Sequence, residues 1–505
     1  MSWLIRCLLI PVLIGGAARF SGPAGEYDLL ITGGRIVDGS GSPAYEADIL
    51  IRDGVIQKIG EVSEPSVKRI IQAGGRTVTP GFIDTHAHGN PLQTPQFANF
   101  LSMGVTTISL GQDGRSPAAG DVAGWMDRVD EQGTGVNVLH FSGHASVRGQ
   151  AGAPLTAGMQ TLIRQAMKAG SFGVTTGLEY DPGRHADLEE LAAIAVPGEL
   201  FMSHMRSEDD DRIEASVREL LETGRRSGAR IHISHLKIVF ADDPERAGAV
   251  LELLSEARRE GLPVTADLYP YTASYTGIGI VFPAWARPPH FQEAVRTRRD
   301  ELSEYLRNRV NRRNGPEATL FGTHPWTGMT LAEIADSLGK PFEDVLIDDI
   351  GPRGGSAAYF VMDESVMRRF LADPHVMIAS DGSPSMQHPR GYGSFAKIIR
   401  KYVIEEKYLT LEEAVRKMTG LPASTLELDD PERVEIPRGY LREGYAADIL
   451  IFDPARIKDR ATFGDPHRLA TGFDWVLVNG AAVMEKGSLQ ERFSGSVLRR
   501  KYKKH

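Results

Sequence analysis

Two rhythms of apolar and polar residues divide the chain, and each predicts a different architecture. From Tyr27 apolar and polar positions alternate in short runs: Leu29-Leu30-Ile31, Arg35-Ile36-Val37, Ala47-Asp48-Ile49-Leu50-Ile51 and Val55-Ile56-Gln57-Lys58-Ile59. Gly33-Gly34, Asp38-Gly39-Ser40 and Asp53-Gly54 separate them. Alternation broken by such turn residues predicts a small antiparallel sheet. The same rhythm returns in Ala447-Asp448-Ile449-Leu450-Ile451-Phe452 and Trp475-Val476-Leu477-Val478, so both ends are expected to build one sheet.

Between these ends, apolar runs alternate with amphipathic stretches, the pattern of parallel strands joined by helices. The runs fall at 77–88, 105–111, 136–144, 172–180, 200–204, 230–235, 264–269 and 376–381. Helical patterns over 155–170, 211–224 and 245–261 close on glycines, as helix C-termini do. Eight such units predict an α/β fold, a (β/α)8 barrel of the TIM type whose active site lies at the carboxyl ends of its strands. The stretch 282–361 is longer than one crossover needs and reads as a partly helical insertion near the barrel mouth, placed to act as a lid. The expected layout is a composite β-sandwich from 26–75 plus 435–490, a barrel over 76–434, and a basic tail over 491–505.

Composition narrows the class. The 505 residues carry a formal net charge of −9, and no basic stripe suits a nucleic-acid partner. The tail Arg499-Arg500-Lys501-Tyr502-Lys503-Lys504 is basic and is expected to be frayed and solvated. In 1–20, Arg6 precedes the apolar run 7–14 and the small residues Gly15-Gly16-Ala17-Ala18. That order is a secretory signal pattern, too short to span a bilayer, so export to the periplasm and no stable membrane insertion are expected. Without signal function the chain would be cytoplasmic. Cys7, the single cysteine, lies inside that segment, which leaves a processed chain without disulfide or thiol chemistry.

Candidate chemistry gathers at the predicted strand ends. His86 and His88 are one residue apart after an apolar run, so on a strand both rings leave the same face. An H-x-H alone is a weak signal. It gains weight from Asp113 after the second strand, Glu179 on the fourth, His204 on the fifth, His235 on the sixth and Asp381 on the eighth. Imidazoles and carboxylates suit zinc, one or two ions per chain, with an open position left for water. His144 and Arg148, at the end of the third strand, read either as a polar pair facing the mouth and the substrate or as a structural hydrogen bond.

Longer motifs surround these residues: Pro80-Gly81-Phe82-Ile83-Asp84-Thr85-His86-Ala87-His88, Gly143-His144, Thr176-Gly177-Leu178-Glu179-Tyr180, Ser234-His235-Leu236-Lys237, Tyr269-Pro270-Tyr271, Ser380-Asp381-Gly382 and His388-Pro389-Arg390. Taken together in this order, they resemble the amidohydrolase superfamily, and within it the D-aminoacylase (N-acyl-D-amino-acid deacylase) family. The resemblance implies a zinc-bearing barrel with a β-sandwich from both termini. It implies that His204 and His235 hold the more buried zinc, with His86 and His88 at a second position. It also implies that Asp381 is the general base and acid, and that Lys237, Tyr269 and Arg390 hold the substrate's carboxylate. The expected reaction is amide hydrolysis of a small N-acyl-D-amino acid by a metal-bound hydroxide.

The chain departs from the pattern in three places. Asp113 stands where the family has a bridging cysteine, Leu236 stands where well-known members have a second histidine, and Asp381 to Arg390 is a shorter interval. Either Asp113 or Glu179 can replace the cysteine as bridge, and Glu179 is slightly favoured. A cyclic-amide hydrolase of the dihydropyrimidinase kind is the alternative, although it would want a lysine on the fourth strand. A non-catalytic scaffold would have lost ligands that this chain keeps.

Overall fold

The structure, a computed structural model, describes residues 26–63, 65–117, 119–151 and 155–502. The expected signal segment lies outside them. Both ends of the described chain enter one nine-stranded sheet. Its order is Ser488–Leu489, Ala481–Glu485, Phe473–Val478, Ile449–Phe452, Thr77–Pro80, Leu29–Ile36, Tyr45–Arg52 and Val55–Gly60, with Ile70–Gln72 also paired to Leu29–Ile36. Alternation decides which way its side chains face. Ile449 and Ile451 join Ile31, Ile49, Ile51 and Val78 in the sheet's own core, whereas Leu450 and Phe452 point the other way into the barrel's core. A strand covered on both faces reads as a continuous apolar run, which is why Ile449–Phe452 shows no alternation of its own.

The eight barrel strands, labelled in chain order, are β1 (Phe82–Asp84), β2 (Val105–Leu110), β3 (Asn137–His140, continuing as Ser142–Gly143), β4 (Gly173–Gly177), β5 (Leu200–His204), β6 (Arg230–Ile233), β7 (Val264–Leu268) and β8 (Val376–Ile378). Each pairs in parallel with the next. Where β3 is interrupted, the Phe141 amide donates to Leu110 O at 2.9 Å and carries the ladder across. The ring closes just past the ends of β8 and β1: the Asp381 amide donates to His86 O (2.8 Å) and the His88 amide to Gly382 O (2.7 Å). Closure therefore runs through three of the candidate site residues.

The opening run 77–88 holds two strands, not one, and its histidines follow the second. Thr77–Pro80 pairs with Ile449–Phe452 in the terminal sheet, and only Phe82–Asp84 belongs to the barrel. The chain crosses at Gly81, pressed against β2 so closely that a Cβ there would lie 2.1 Å from Thr106 Oγ1.

The insertion begins earlier than the sequence suggests. Ser274–Gly277 already pairs antiparallel with Ser356–Tyr359, which also pairs with Thr319–Phe321. Helices Phe291–Thr297, Arg299–Arg312 and Leu331–Leu338 lie between these strands. Phe282, Leu302, Leu306, Phe321, Ile334 and Val345 give the insertion a core of its own, so it is a packed subdomain rather than a loose loop.

The basic tail is docked as far as it is described, contrary to the expectation of a frayed end. The Val138 amide donates to Ser496 O and the Leu498 amide to Val138 O, both at 2.9 Å. Arg500 is 4% exposed and pairs with Glu199 (2.6 Å) and Glu427. Its charge is matched by carboxylates distant in sequence, which hydropathy along the chain cannot reveal. Among the described residues no helix is long and apolar enough to cross a membrane.

Candidate metal centre

Two buried carboxylates outside the site hold its backbone in place. Asp84 at the end of β1 accepts from the His86 amide (3.1 Å), the Ser380 amide (3.0 Å) and Ser380 Oγ (2.5 Å). It thereby ties β1 to β8, bringing His86, His88 and Asp381 together. Asp267 at the end of β7 accepts from Thr85 Oγ1 (2.5 Å) and the His235 amide (2.5 Å), and it lies 2.8 Å from His232 Nε2. Asp113, His235 and Asp381 all have positive φ, at 54°, 38° and 49°. Non-glycine residues in that region are strained, and such strain persists where the surrounding structure fixes a side chain for use.

These elements gather seven candidate residues. His88 Nε2 lies 3.1 Å from Asp381 Oδ1 and 3.4 Å from Asp113 Oδ2. His86 Nε2 lies 3.4 Å from Asp113 Oδ1 and 3.7 Å from Asp381 Oδ1. On the other side, His204 Nδ1 is 2.9 Å from His235 Nε2, and these atoms are 3.6 and 3.4 Å from Asp113 Oδ1. Asp113 is thus shared by two clusters, one with His86, His88 and Asp381 and one with His204 and His235. Glu179 lies 3.2 Å from His204 Nε2 and forms a third cluster with His204 and Glu208, away from His86, His88 and His235. These distances put Asp113, and not Glu179, between the two histidine pairs. The position of Glu179 on the fourth unit suggested the reverse, but it follows β4 in the turn and approaches from one side.

The side chains fit a zinc ion. Both ring nitrogens of His86 are buried without a hydrogen-bond partner among the described residues, a costly state for neutral imidazole in a protein interior. His204 and His235 bring two ring nitrogens within 2.9 Å, and the remaining donors are carboxylate oxygens. An imidazole and carboxylate set of this kind is a zinc site.

A cavity of about 730 Å³ opens above these groups. Lys237, Tyr269 and Arg390 line it with Asp381, as the sequence motifs suggested. Arg390 Nη1 bonds Asp381 Oδ2 at 2.8 Å, and its guanidinium lies 4.7 Å from the Tyr269 ring centre. Burial would raise the Asp381 pKa, yet Arg390 and the neighbouring imidazoles hold it well below the usual carboxylate range. Lys237 is turned inward: Nζ donates to Glu208 Oε1 (2.6 Å) and His235 O (3.1 Å) and touches His235 Nδ1 (2.8 Å). Burial disfavours its charge, but Glu208 more than offsets this, and its pKa is raised.

His144 is not in the cavity. Its Nε2 lies 2.8 Å from Glu190 Oε1, which Arg148 also grips; of the two readings for this pair, the structural hydrogen bond is the one found. Glu208 has no counterpart in the sequence reading. It lies 3.1 Å from His235 Nδ1 and so orients the ring whose other nitrogen faces Asp113. Its signal was a carboxylate four residues after His204, hidden at the head of the acidic run Glu208-Asp209-Asp210-Asp211. Tyr180 was likewise passed over as a site residue, although its ring packs 4.6 Å from that of His204.

Comparison with known proteins agrees with this geometry. Residues 69–484 match the model of the amidohydrolase family. An N-acyl-D-glutamate deacylase and a D-aminoacylase, both from Alcaligenes xylosoxydans xylosoxydans, are 34% and 31% identical to the chain. Each alignment covers 94% of this chain, with 97% of the first relative and 98% of the second. Among solved structures, the N-acyl-D-glutamate deacylase of Bordetella bronchiseptica, complexed with zinc and a phosphonate inhibitor that mimics the tetrahedral intermediate, superposes with a TM-score of 0.79 at 32% identity. That match covers 94% of this chain and 100% of the other.

Proposed function

The chain belongs to the amidohydrolase family, in its D-aminoacylase branch, and from that premise we propose that it hydrolyses the amide bond of N-acyl-D-amino acids in a zinc-dependent reaction. The observation that carries this reading is Asp381. It is a buried carboxylate held ionised by Arg390, with one oxygen among the converging imidazoles and the other at the foot of the cavity wall.

His204, His235 and Asp113 would hold the first zinc, and His86, His88 and Asp113 a second. Zinc bound there supplies Lewis acidity, lowering the pKa of coordinated water to about 7 and polarising a carbonyl. The protein does the rest. Asp381 Oδ1 takes the proton of the attacking water and returns it to the leaving amine nitrogen, so one group serves as base and then acid. Arg390 occupies Oδ2 and leaves Oδ1 for that proton. Glu208 and Lys237 fix the His235 ring. The α-carboxylate of the substrate falls to Arg390 and Tyr269. Lys237, its protons already engaged, adds only its charge.

Zinc-loaded protein assayed against paired N-acetyl-D- and N-acetyl-L-amino acids should release the free amino acid from the D series. Chelation should abolish the activity and zinc should restore it. Hydrolysis of neither series, or of both equally, would refute the assignment.

Export remains our proposal for localisation, on the N-terminal pattern alone. N-terminal sequencing of protein from the periplasmic fraction should find a chain shortened by about 20 residues.

A further inference from the structure

One cation on the cavity wall is not accounted for by this chemistry. Arg313 caps the helix Arg299–Arg312 in the insertion, is 2% exposed, and lines the same cavity as Asp381 and Arg390. Among the described residues no carboxylate pairs with it, and its Nε is buried with no hydrogen-bond partner. Its neighbours are rings: Tyr359 at 4.7 Å and Phe240 at 5.7 Å from the guanidinium carbon. Arg309, one turn earlier, is already paired with Asp209 at 2.8 Å, so it adds like charge rather than relief. Burial, and then Arg309, push the Arg313 pKa down, and the more distant carboxylates Glu179 and Asp209 only partly offset them.

A guanidinium stripped of water and left without a bonded anion is unfavourable, and a ligand carboxylate would relieve that cost. The rest of this wall is mostly of the same sign, and its acid Asp181 is already paired with Arg184 (2.6 Å) and His185 (3.0 Å). Among the described residues Arg115 and Arg287 reach only backbone oxygens, those of Asp181 and of Phe282 and Ile280, and Arg353 has no carboxylate partner. The acids of the cavity floor are otherwise engaged. Asp113, Glu179 and Asp381 face the histidines, and Glu208 and Asp209 are paired with Lys237 and Arg309. Wall and floor are linked in space. Tyr180 lies against His204, and its hydroxyl accepts from Thr276 Oγ1 at 3.2 Å. Thr276 is on the strand Ser274–Gly277, whose Ser274 stands opposite Tyr359 under Arg313.

We propose that Arg313 receives a second carboxylate of the substrate, so that the preferred substrates are N-acyl-D-amino acids with an acidic side chain. The proposal rests on the deacylase reading above, in which Arg390 takes the α-carboxylate. The planar fork of donors on Arg313 matches a carboxylate in a bidentate pair, and such recognition rejects the neutral isostere because the buried donors are then left unmet.

The test compares N-acetyl-D-glutamate with N-acetyl-D-glutamine, and N-succinyl-D-leucine with N-acetyl-D-leucine, on the zinc-loaded full chain. Wild type should favour D-glutamate over D-glutamine in kcat/KM by roughly 10- to 100-fold. Arg313→Met should bring that ratio near one while leaving D-leucine turnover within about threefold. Thermal shifts with the same acids give a second readout that needs no turnover. Without ligand, Arg313→Met should melt at the wild-type temperature or above it, since it removes an unpaired buried charge, and its stabilisation by N-acetyl-D-glutamate should be lost. A lower melting temperature with an unchanged acid-to-amide ratio would make Arg313 a packing residue and overturn the proposal. A preference confined to the succinyl substrate would place the second carboxylate on the acyl side and also overturn it as stated. Absence of any D-amino-acid release, with the glutamate-selective thermal shift intact, would sink the deacylase reading and not this subsite.

Discussion

At the scale of single residues, the sharpest result is that one carboxylate oxygen, Asp113 Oδ1, lies within 3.4 to 3.6 Å of nitrogens from three histidines. A bridging ligand touches both ions, whereas a carboxylate beside one histidine tunes it from outside. Asp113→Ala should therefore empty the centre, and Glu179→Ala should cost only about 10- to 100-fold in metal affinity or activity. Metal content after dialysis decides between them; equal, mild losses would mean that neither bridges. By the same reasoning His204→Ala and His235→Ala should lose the more buried ion, while His86→Ala should leave one bound. Arg390 has two partners in this reading, the substrate and Asp381. From sequence, as a carboxylate anchor alone, Arg390→Ala would raise KM for N-acyl-D-amino acids and spare the matching amides. The ion pair at 2.8 Å changes this. KM for the acids should rise about 10- to 100-fold, and kcat should also fall for both acids and amides because Asp381 loses its partner. Amide turnover at the wild-type rate would show that the pair does not matter to the base.

At the scale of elements, the helix Arg390–Lys397 has a cation at each end, and only the first serves the site. Lys397 Nζ lies over the Tyr271 ring at 3.9 Å with no carboxylate bonded to it among the described residues, and burial lowers its pKa to about 8. An unfolded lysine holds its proton to about 10.5. Between those values the unfolded chain binds more protons than the fold, so stability should rise as pH increases from 8 towards 10. Below pH 8 the penalty is constant, on the order of 1 to 3 kcal/mol once the ring contact is set against it. Lys397→Met should raise the melting temperature at pH 7 and flatten part of that rise. A lower melting temperature at pH 7 would mean that the ring contact outweighs desolvation. The strands behave differently from this helix. Their boundaries were legible because parallel barrel strands are apolar on both faces, yet the division at Gly81 was not, because it depends on Thr106 lying against the backbone there.

At the scale of the whole molecule, the chain's last turns act as a clasp. Arg500 closes on Glu199 before β5 and on Glu427, and removing one partner of a buried pair typically costs about 3 to 5 kcal/mol. Arg500→Ala should lower unfolding stability by roughly that amount in denaturant titration with little change in kcat; a change under about 1 kcal/mol would mean that Arg433, 3.5 Å from Glu199, substitutes for it. The sequence by itself determined the layered plan. Alternation at both ends made a shared sheet, apolar runs separated by helical patterns made eight parallel strands, and His86, His88, His204, His235 and Asp381 at the ends of those runs made a metal site, which the resemblance to the amidohydrolases turned into a hydrolase. These are local facts, since period and position along one element fix which face a side chain takes. Tertiary structure decided what depends on distance across the ring. It put Asp113 between the histidine pairs, turned Lys237 to Glu208 and His144 to Glu190, joined Arg390 to Asp381, and left Arg313 facing the cavity without an anion. Each of these contacts joins residues from different elements, and barrel closure and rotamer choice, not spacing along the chain, set which partner a charged side chain meets.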